Sequence, residues 1–349
     1  MKAQPLDSFV KIGEYAYQII GQKFERFNRQ EDAVLKDKDP EPLHQMRVGM
    51  RQLRTAVQVF NAAIVLPKAI TDSSIGKIAK SLGDTRDLDV LQQALITHYQ
   101  PLLQKAEHSK FDEVLKDLSQ KRDRSFLHLQ KTLNGDRYQK LKQSIQDWLD
   151  HPIYTPMGGL SVLQILPDLL LPLVCKLFLH PGWLVGTTIQ TGNVTLIPLE
   201  DSAGLNQQFE QFSDLLHDLR KQMKGVRYQA EFFSAFYDAS YAQRIEEFKE
   251  IQDILGQLQD HVVLRQFLES VLNADLADLL PSIDQQIQQD EMAFWQSWQP
   301  LQQRYLASEF RQSLRSLLTA PLELRPTSSH KSKKVPKPTK QTSQTSKPE

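Results

Sequence analysis

A repeated motif divides the chain into two related halves. The stretch LHQMRVGMRQLR around His44 returns as LHDLRKQMKGVR around His217, and LGDTRDL around Gly83 returns as LGQLQDH around Gly256. The two histidines are 173 positions apart, and so are the two glycines. Two separate motifs that share one offset indicate a tandem duplication. The chain is therefore expected to fold as two copies of one structural unit.

The apolar residues of both halves recur three and four positions apart, and the runs break at Pro or Gly. This spacing predicts helices at about Leu6 to Phe27, Pro42 to Ile64, Asp72 to Thr97, Leu102 to Leu133, Asp136 to Leu149, Leu205 to Phe236, Tyr241 to Leu272, Pro281 to Trp298 and Leu301 to Leu318. The main stretch with strand-like alternation is NVTLIPL, from Asn193 to Leu199. An all-α fold is therefore predicted.

Composition excludes several classes of protein. The 349 residues include 42 basic and 42 acidic side chains, so a generically basic nucleic-acid binder is not expected. With Cys175 as the only cysteine, neither a disulfide framework nor a zinc site built from paired cysteines can form. The start, MKAQPLDSFV, lacks the basic and apolar regions of a secretory signal. These features predict a cytoplasmic protein.

The chain is predicted to form one domain at residues 1–325, with repeat one at about 6–150, a connector at about 151–204 and repeat two at about 205–320. The connector contains the apolar run GLSVLQILPDLLLPLVCKLFL. Gln164, Asp168 and Lys176 interrupt this run, and two prolines break it, so a buried helical connector is expected rather than a membrane span.

The last residues, 326–349, are rich in Ser, Thr, Pro and Lys and are predicted to form a disordered tail. They contain six Lys and one Glu, so the tail carries about +5 and the rest of the chain about −5. Any affinity of the body for polyanions must therefore come from local clustering of basic side chains.

Helical geometry gathers the basic residues of each repeated motif on one face. At 100° per residue, the four members fall within an arc of about 80° and extend roughly 15 Å along the helix. We call these stripes the first rail, His44, Arg47, Arg51 and Arg54, and the second rail, His217, Arg220, Lys224 and Arg227. The apolar residues of the same helices lie on a different arc, which is expected to face the core.

Two interpretations of the rails remain open at this point. Residues 43–66 contain neither Asp nor Glu, so the first rail cannot be neutralised by pairs within its own helix. Carboxylates of neighbouring helices could neutralise it instead, with Asp87, Asp89 and Asp260 as candidates, and the motif would then be a packing feature. The repetition favours an anion site. Metal binding by the histidines is less favoured, because no ligand pattern surrounds them.

The four ordered motifs LHQMRVGMRQLR, LGDTRDLDVL, LHDLRKQMKGVRY and LQDILGQLQD resemble those of the CHAD family, the conserved-histidine α-helical domain. The resemblance extends from about Leu6 to Leu318. It implies two four-helix bundles related by pseudo-two-fold symmetry, with a basic groove between them that binds inorganic polyphosphate. The implied ligands are both rails, and Lys80, Arg86 and Lys249 are further candidates at the motif edges.

The resemblance also implies partners and a location, namely polyphosphate granules and their associated proteins in the cytoplasm. No cofactor and no catalytic activity are expected, because P-loop, G-x-S-x-G, H-E-x-x-H and E-x-E-x-K motifs are lacking. Two alternatives are weaker. A nucleic-acid or general polyanion binder would use more aromatic residues than Tyr228 for stacking, and a metal-dependent phosphohydrolase would release phosphate.

Overall fold

The computed structural model describes residues 10–197 and 202–322, and within these ranges the all-α prediction is confirmed. The first half contains α1 (Ile12–Asn28), α2 (Glu31–Lys36), α3 (Pro40–Phe60), α4 (Asp72–Ala94), α5 (His108–Leu133) and α6 (Asp136–Asp150). The second half contains α7 (Val162–Phe178), α8 (Ser202–Glu231), α9 (Ala239–Leu272), α10 (Leu276–Leu279), α11 (Pro281–Leu306) and α12 (Ser308–Leu318). A short antiparallel hairpin, β1 (Thr187–Gln190) and β2 (Asn193–Leu196), precedes α8.

Local sequence signals explain where the helices that carry the rails and their neighbours begin. The Asp39 side chain accepts a hydrogen bond from the backbone of Glu41 at 2.9 Å, and Pro40 occupies the first turn of α3. Thr71 and Ser74 form a reciprocal capping box at the start of α4. Asp238 caps α9 in the same manner as Asp39.

Some predicted boundaries are wrong. Helix α5 begins at His108 rather than near Leu102, because a short 3₁₀ turn containing Pro101 precedes it. Helix α11 continues through Pro300, where a break was expected, and ends where Ala307 adopts an extended conformation. The short helices α2 and α10 were not predicted. The beginning of the first predicted helix and the predicted tail lie outside the described residues.

The helices within each half pack as neighbours in the chain. Helix α3 contacts α1 and α4, and α4 contacts α5, while in the second half α8 contacts α7 and α9, and α9 contacts α11. The approach of α1 to α3 depends on Gly49, where a Cβ atom would lie 3.0 Å from that of Phe27. The predicted connector supplies α7, which buries Leu166, Leu170 and Val174 in the core.

Aromatic residues join the two halves. The rings of Phe60 in α3 and Phe233, just after α8, lie edge to face with centroids 5.8 Å apart. These two residues occupy equivalent positions under the 173-residue offset. Tyr15 of α1 contacts both rings, and its hydroxyl donates to the carbonyl oxygen of Phe232. Residues of both halves therefore belong to the same hydrophobic core cluster. The arrangement as two symmetric four-helix bundles stays a prediction.

Candidate functional site

The two rails lie on α3 and α8, which pack against each other. Nη2 of Arg51 donates to the hydroxyl of Tyr228 at 2.7 Å, and its guanidinium carbon lies 5.0 Å from the centroid of that ring. The guanidinium of Arg227 lies 4.7 Å from the same centroid. Tyr228 thus brings a member of each rail to one place, and we call the surface formed by both rails the rail surface.

Carboxylates of α4 neutralise part of the first rail. Nη2 of Arg47 pairs with Asp87 at 2.9 Å, and Arg54 makes two hydrogen bonds of 2.7 Å to the carboxylate of Asp72. Asp89, the other candidate on this helix, pairs with Arg122 of α5 instead. The pairing that the sequence left open therefore exists for two of the four members of the first rail.

The repeated glycines make room for one arginine of each rail. A Cβ atom at Gly83 would lie 3.4 Å from Nε of Arg47, and one at Gly256 would lie 3.1 Å from both Nε and Nη2 of Arg220. Each arginine side chain therefore lies directly against a glycine of the neighbouring helix. This contact explains why the two motifs recur together, because the second motif supplies the space that the first one uses.

Several buried nitrogen atoms on or beside the rails lack a hydrogen-bond partner. Among the described residues, Nε of Arg220, Nδ1 of His217 and Nε of Arg86 are buried without a hydrogen bond. Lys224 is half-buried and forms no ion pair with a described carboxylate, whereas Arg227 pairs with Glu231 at 2.9 Å. Buried polar atoms normally have a hydrogen-bond partner, so this group indicates a surface suited to an anion.

The pKa of each motif histidine is lowered by its surroundings. Burial is the largest cause that lowers the pKa of His44, and the cations Arg86 and Arg47 lower this pKa further. Burial also lowers the pKa of His217, followed by Lys221 and Arg220. A bound polyanion would oppose these effects, because it stabilises the imidazolium form.

Two equivalent aspartates lie among the central arginines. Asp87 of α4 and Asp260 of α9 are related by the 173-residue offset. The Asp87 side chain is 65% exposed, yet the surrounding protein partly encloses it, and this enclosure raises its pKa. Arg47, Arg51 and Arg220 lower the same pKa, but the effect of enclosure is larger. Asp260 is exposed too, and its partial enclosure by protein raises its pKa, while Arg220 lowers this pKa and Asp87 adds to the increase.

Helix α1 contributes two basic residues that the sequence analysis missed. Nη2 of Arg26 donates to Oε1 of Gln45 in α3 at 2.7 Å, and its charge helps to lower the pKa of His44. Lys23 interacts electrostatically with Arg26 and with Glu231 of α8. No sequence signal singled them out, because α1 lies outside the repeated motifs.

The other predicted edge residues are exposed. Lys80 pairs with Asp84 of its own helix at 2.7 Å, and Lys249 lies 3.7 Å from Glu246. Arg86, by contrast, is close enough to His44 to lower its pKa. The structure therefore places Arg86 with the first rail and gives Lys80 and Lys249 only local partners.

No group of three or more His, Cys, Asp or Glu side chains in residues 10–197 and 202–322 has an arrangement that could hold a metal ion. None of the helices in these ranges is long and apolar enough to cross a bilayer.

Comparison with known proteins agrees with this fold and its motifs. The family model of the CHAD domain matches residues 18–269. The chain therefore belongs to the CHAD family.

Two solved structures show the same fold. The CHAD domain from the plant Ricinus communis has 23% sequence identity and a TM-score of 0.57, over 92% of this chain and 97% of that one. PptA from Streptomyces chartreusis has 12% identity and a TM-score of 0.54, over 82% of this chain and 99% of that one. No curated protein matches the chain.

Proposed function

We propose that this protein binds inorganic polyphosphate on the rail surface and does not process it. The observation that carries the proposal is the group of buried nitrogen atoms without hydrogen-bond partners, on Arg86, His217 and Arg220, beside the half-buried Lys224. Membership of the CHAD family supports the same ligand, since polyphosphate binding is a general property of that family.

The chemistry of the ligand fits the rails. Polyphosphate is a flexible chain with one repeating unit and no bases to recognise, so it requires cations along a track and nothing else. Arginine can donate to two oxygens of one phosphate, and lysine adds a point charge. The rails provide both, on helices that contact each other at Arg51 and Tyr228.

Binding is tested by calorimetric titration of the full chain with long-chain polyphosphate, beside RNA of matched charge in the same salt. We expect tight binding of polyphosphate, weak binding of RNA and an affinity that falls as salt rises. The variant Arg220→Gln/Lys224→Gln should bind at least tenfold more weakly. Arg51 is a poorer choice for mutation, because it also joins the two halves through Tyr228.

Arg124→Gln/Arg137→Gln is the matched control, since it removes two exposed charges from α5 and α6. If the rail variant and this control bind alike, the assignment to the rail surface is wrong. Equal affinity for RNA would make the surface a general polyanion binder.

The absence of catalysis and the location are part of the proposal. Incubation with polyphosphate and Mg²⁺ or Mn²⁺ should leave phosphate release at the background rate, and release that depends on the protein would indicate a phosphohydrolase. A fluorescent fusion should concentrate at polyphosphate granules in the cytoplasm and disperse in cells that lack polyphosphate.

A further inference from the structure

A second group of arginines lies on and around α12. This helix follows residues 18–269, which the family model matches. Arg311 and Arg315 are four residues apart on α12 and therefore lie on the same face. Their guanidinium carbons are 5.1 and 5.6 Å from the ring centroid of Phe178, the last residue of α7. That ring is only 4% exposed, so the two arginines cover a buried aromatic residue.

Two more arginines continue this group. Arg304 of α11 and Arg244 of α9 lie 4.8 and 5.6 Å from the ring centroid of Phe310. The ring of Tyr305 lies between the two arginine pairs, 4.7 Å from Phe310 and 6.4 Å from the ring of α7. We call these four residues, Arg244, Arg304, Arg311 and Arg315, the arginine cluster.

The charges within the arginine cluster do not balance. Glu247 is buried and pairs with both Arg244, at 2.6 Å, and Arg304, at 2.8 Å. Neither Arg311 nor Arg315 forms an ion pair with a carboxylate in the described part of the chain. Two of the four guanidinium groups therefore share the Glu247 carboxylate, and the other two have no carboxylate partner in the described part of the chain.

The uncompensated pair is held in an unfavourable environment. Nε of Arg311 donates to the carbonyl oxygen of Tyr305 at 2.6 Å, which fixes the side chain near the ring it covers. Burial lowers the pKa of Arg311, and the charge of Arg315 lowers it further. Two like charges held together are stabilised by an anion that contacts both of them.

We infer that Arg311 and Arg315 form a second anion site, separate from the rail surface, which binds a phosphoryl group. Among the described residues, no hydrogen bond, ion pair or ring contact joins the arginine cluster to either rail. The ring of Phe178 is covered and buried, so a nucleobase cannot stack on it, and the site offers charge and donors alone. A phosphate with several oxygens can accept from both guanidinium groups at once.

The phosphoryl group can come from a short free phosphate or from a segment of a long chain, so tripolyphosphate and long-chain polyphosphate are titrated separately. Arg311→Gln/Arg315→Gln should weaken tripolyphosphate binding at least tenfold, while Arg220→Gln/Lys224→Gln leaves this site intact. An additional loss of long-chain affinity would assign the site to the chain. Unchanged long-chain affinity would assign it to short phosphates.

The single variant Arg315→Gln should keep the fold, because this exposed side chain makes no hydrogen bond to the described residues. This variant should weaken tripolyphosphate binding severalfold. Arg124→Gln/Arg137→Gln again supplies the matched loss of charge. Tripolyphosphate binding by both cluster variants that equals the control would overturn the inference, and the arginines would then only shield the ring. The inference does not depend on the proposed function, since a failure of long-chain binding to the rail surface leaves the tripolyphosphate result unaffected.

Discussion

Replacing the two central aspartates should strengthen polyphosphate binding. Asp87 and Asp260 lie among Arg47, Arg51 and Arg220, where their negative charges oppose a bound polyanion and compete with it for the arginines. The variant Asp87→Asn/Asp260→Asn removes both charges and keeps nearly the same side-chain shape.

The size of the effect follows from Coulomb's law and the exposure of the carboxylates. Two unit charges about 5 Å apart near a protein surface interact by about 3 kcal/mol at an effective dielectric constant of about 20. The Asp87 side chain is 65% exposed, so water screens most of this energy, and about 1 kcal/mol for each carboxylate is a fair expectation. The double variant should therefore bind about thirtyfold more tightly at neutral pH.

The effect has a definite pH dependence. The pKa of each aspartate is raised in the free protein, and a nearby polyanion raises it further, so binding of the ligand favours uptake of protons. As pH falls, the wild-type aspartates become neutral, and the advantage of the asparagine variant should shrink. His44 and His217 are present in both proteins and gain charge in both as pH falls. The comparison of the wild type with the asparagine variant therefore isolates the effect of the aspartates.

Calorimetric titration at pH 5 and pH 7, at constant ionic strength, measures both effects. Asp112→Asn/Asp123→Asn, which changes two exposed carboxylates of α5, is the control for net charge. Equal or weaker binding by Asp87→Asn/Asp260→Asn at pH 7 would refute the reasoning, and it would mean that the aspartates hold the arginines in place for the ligand.

Three further predictions concern single residues. Gly256→Ala should raise the free energy of unfolding by up to about 1 kcal/mol, because alanine favours a helix. The added methyl group should also displace Arg220 and so weaken polyphosphate binding severalfold. If unfolding caused the weaker binding, the melting temperature of the variant would be lower. Tyr228→Phe should cost about 1 kcal/mol in chemical denaturation, because Arg51 loses its hydroxyl acceptor, and an unchanged midpoint would contradict this. Burial raises the pKa of Glu291 from 4.5 to about 7, so the charged carboxylate destabilises the fold as pH rises through this interval. The gain in stability from Glu291→Gln should therefore grow between pH 5 and 8, towards about 3 kcal/mol. A gain that does not depend on pH would exclude this titration.

The sequence predicted the fold and the rails because both depend on patterns within single helices. The spacing of apolar residues located most helices, and the offset shared by His44 and His217 drew attention to α3 and α8. Pro300 misled the prediction, because proline usually ends a helix, whereas Trp298, Gln302 and Tyr305 are buried on either side of it and keep α11 continuous.

Features that depend on contacts between distant helices could not be predicted. Asp87 pairs with Arg47, and Asp89 pairs with Arg122. These pairings depend on the rotation of α4 relative to α3 and α5. Arg26 lies on α1, outside the repeated motifs. The arginine cluster draws on α9, α11 and α12 and covers a ring of α7, and no spacing along the chain connects these helices.

The contact between Phe60 and Phe233 joins two residues that the 173-residue offset of the repeated motifs relates. Such a contact is the kind that two identical subunits make across a two-fold axis. Because both halves here belong to one polypeptide, the covalent link sets the effective concentration at which they meet, whatever the amount of protein in solution. The rail surface, which needs α3 and α8 together, therefore persists on dilution, whereas the same surface assembled from two separate chains would be lost.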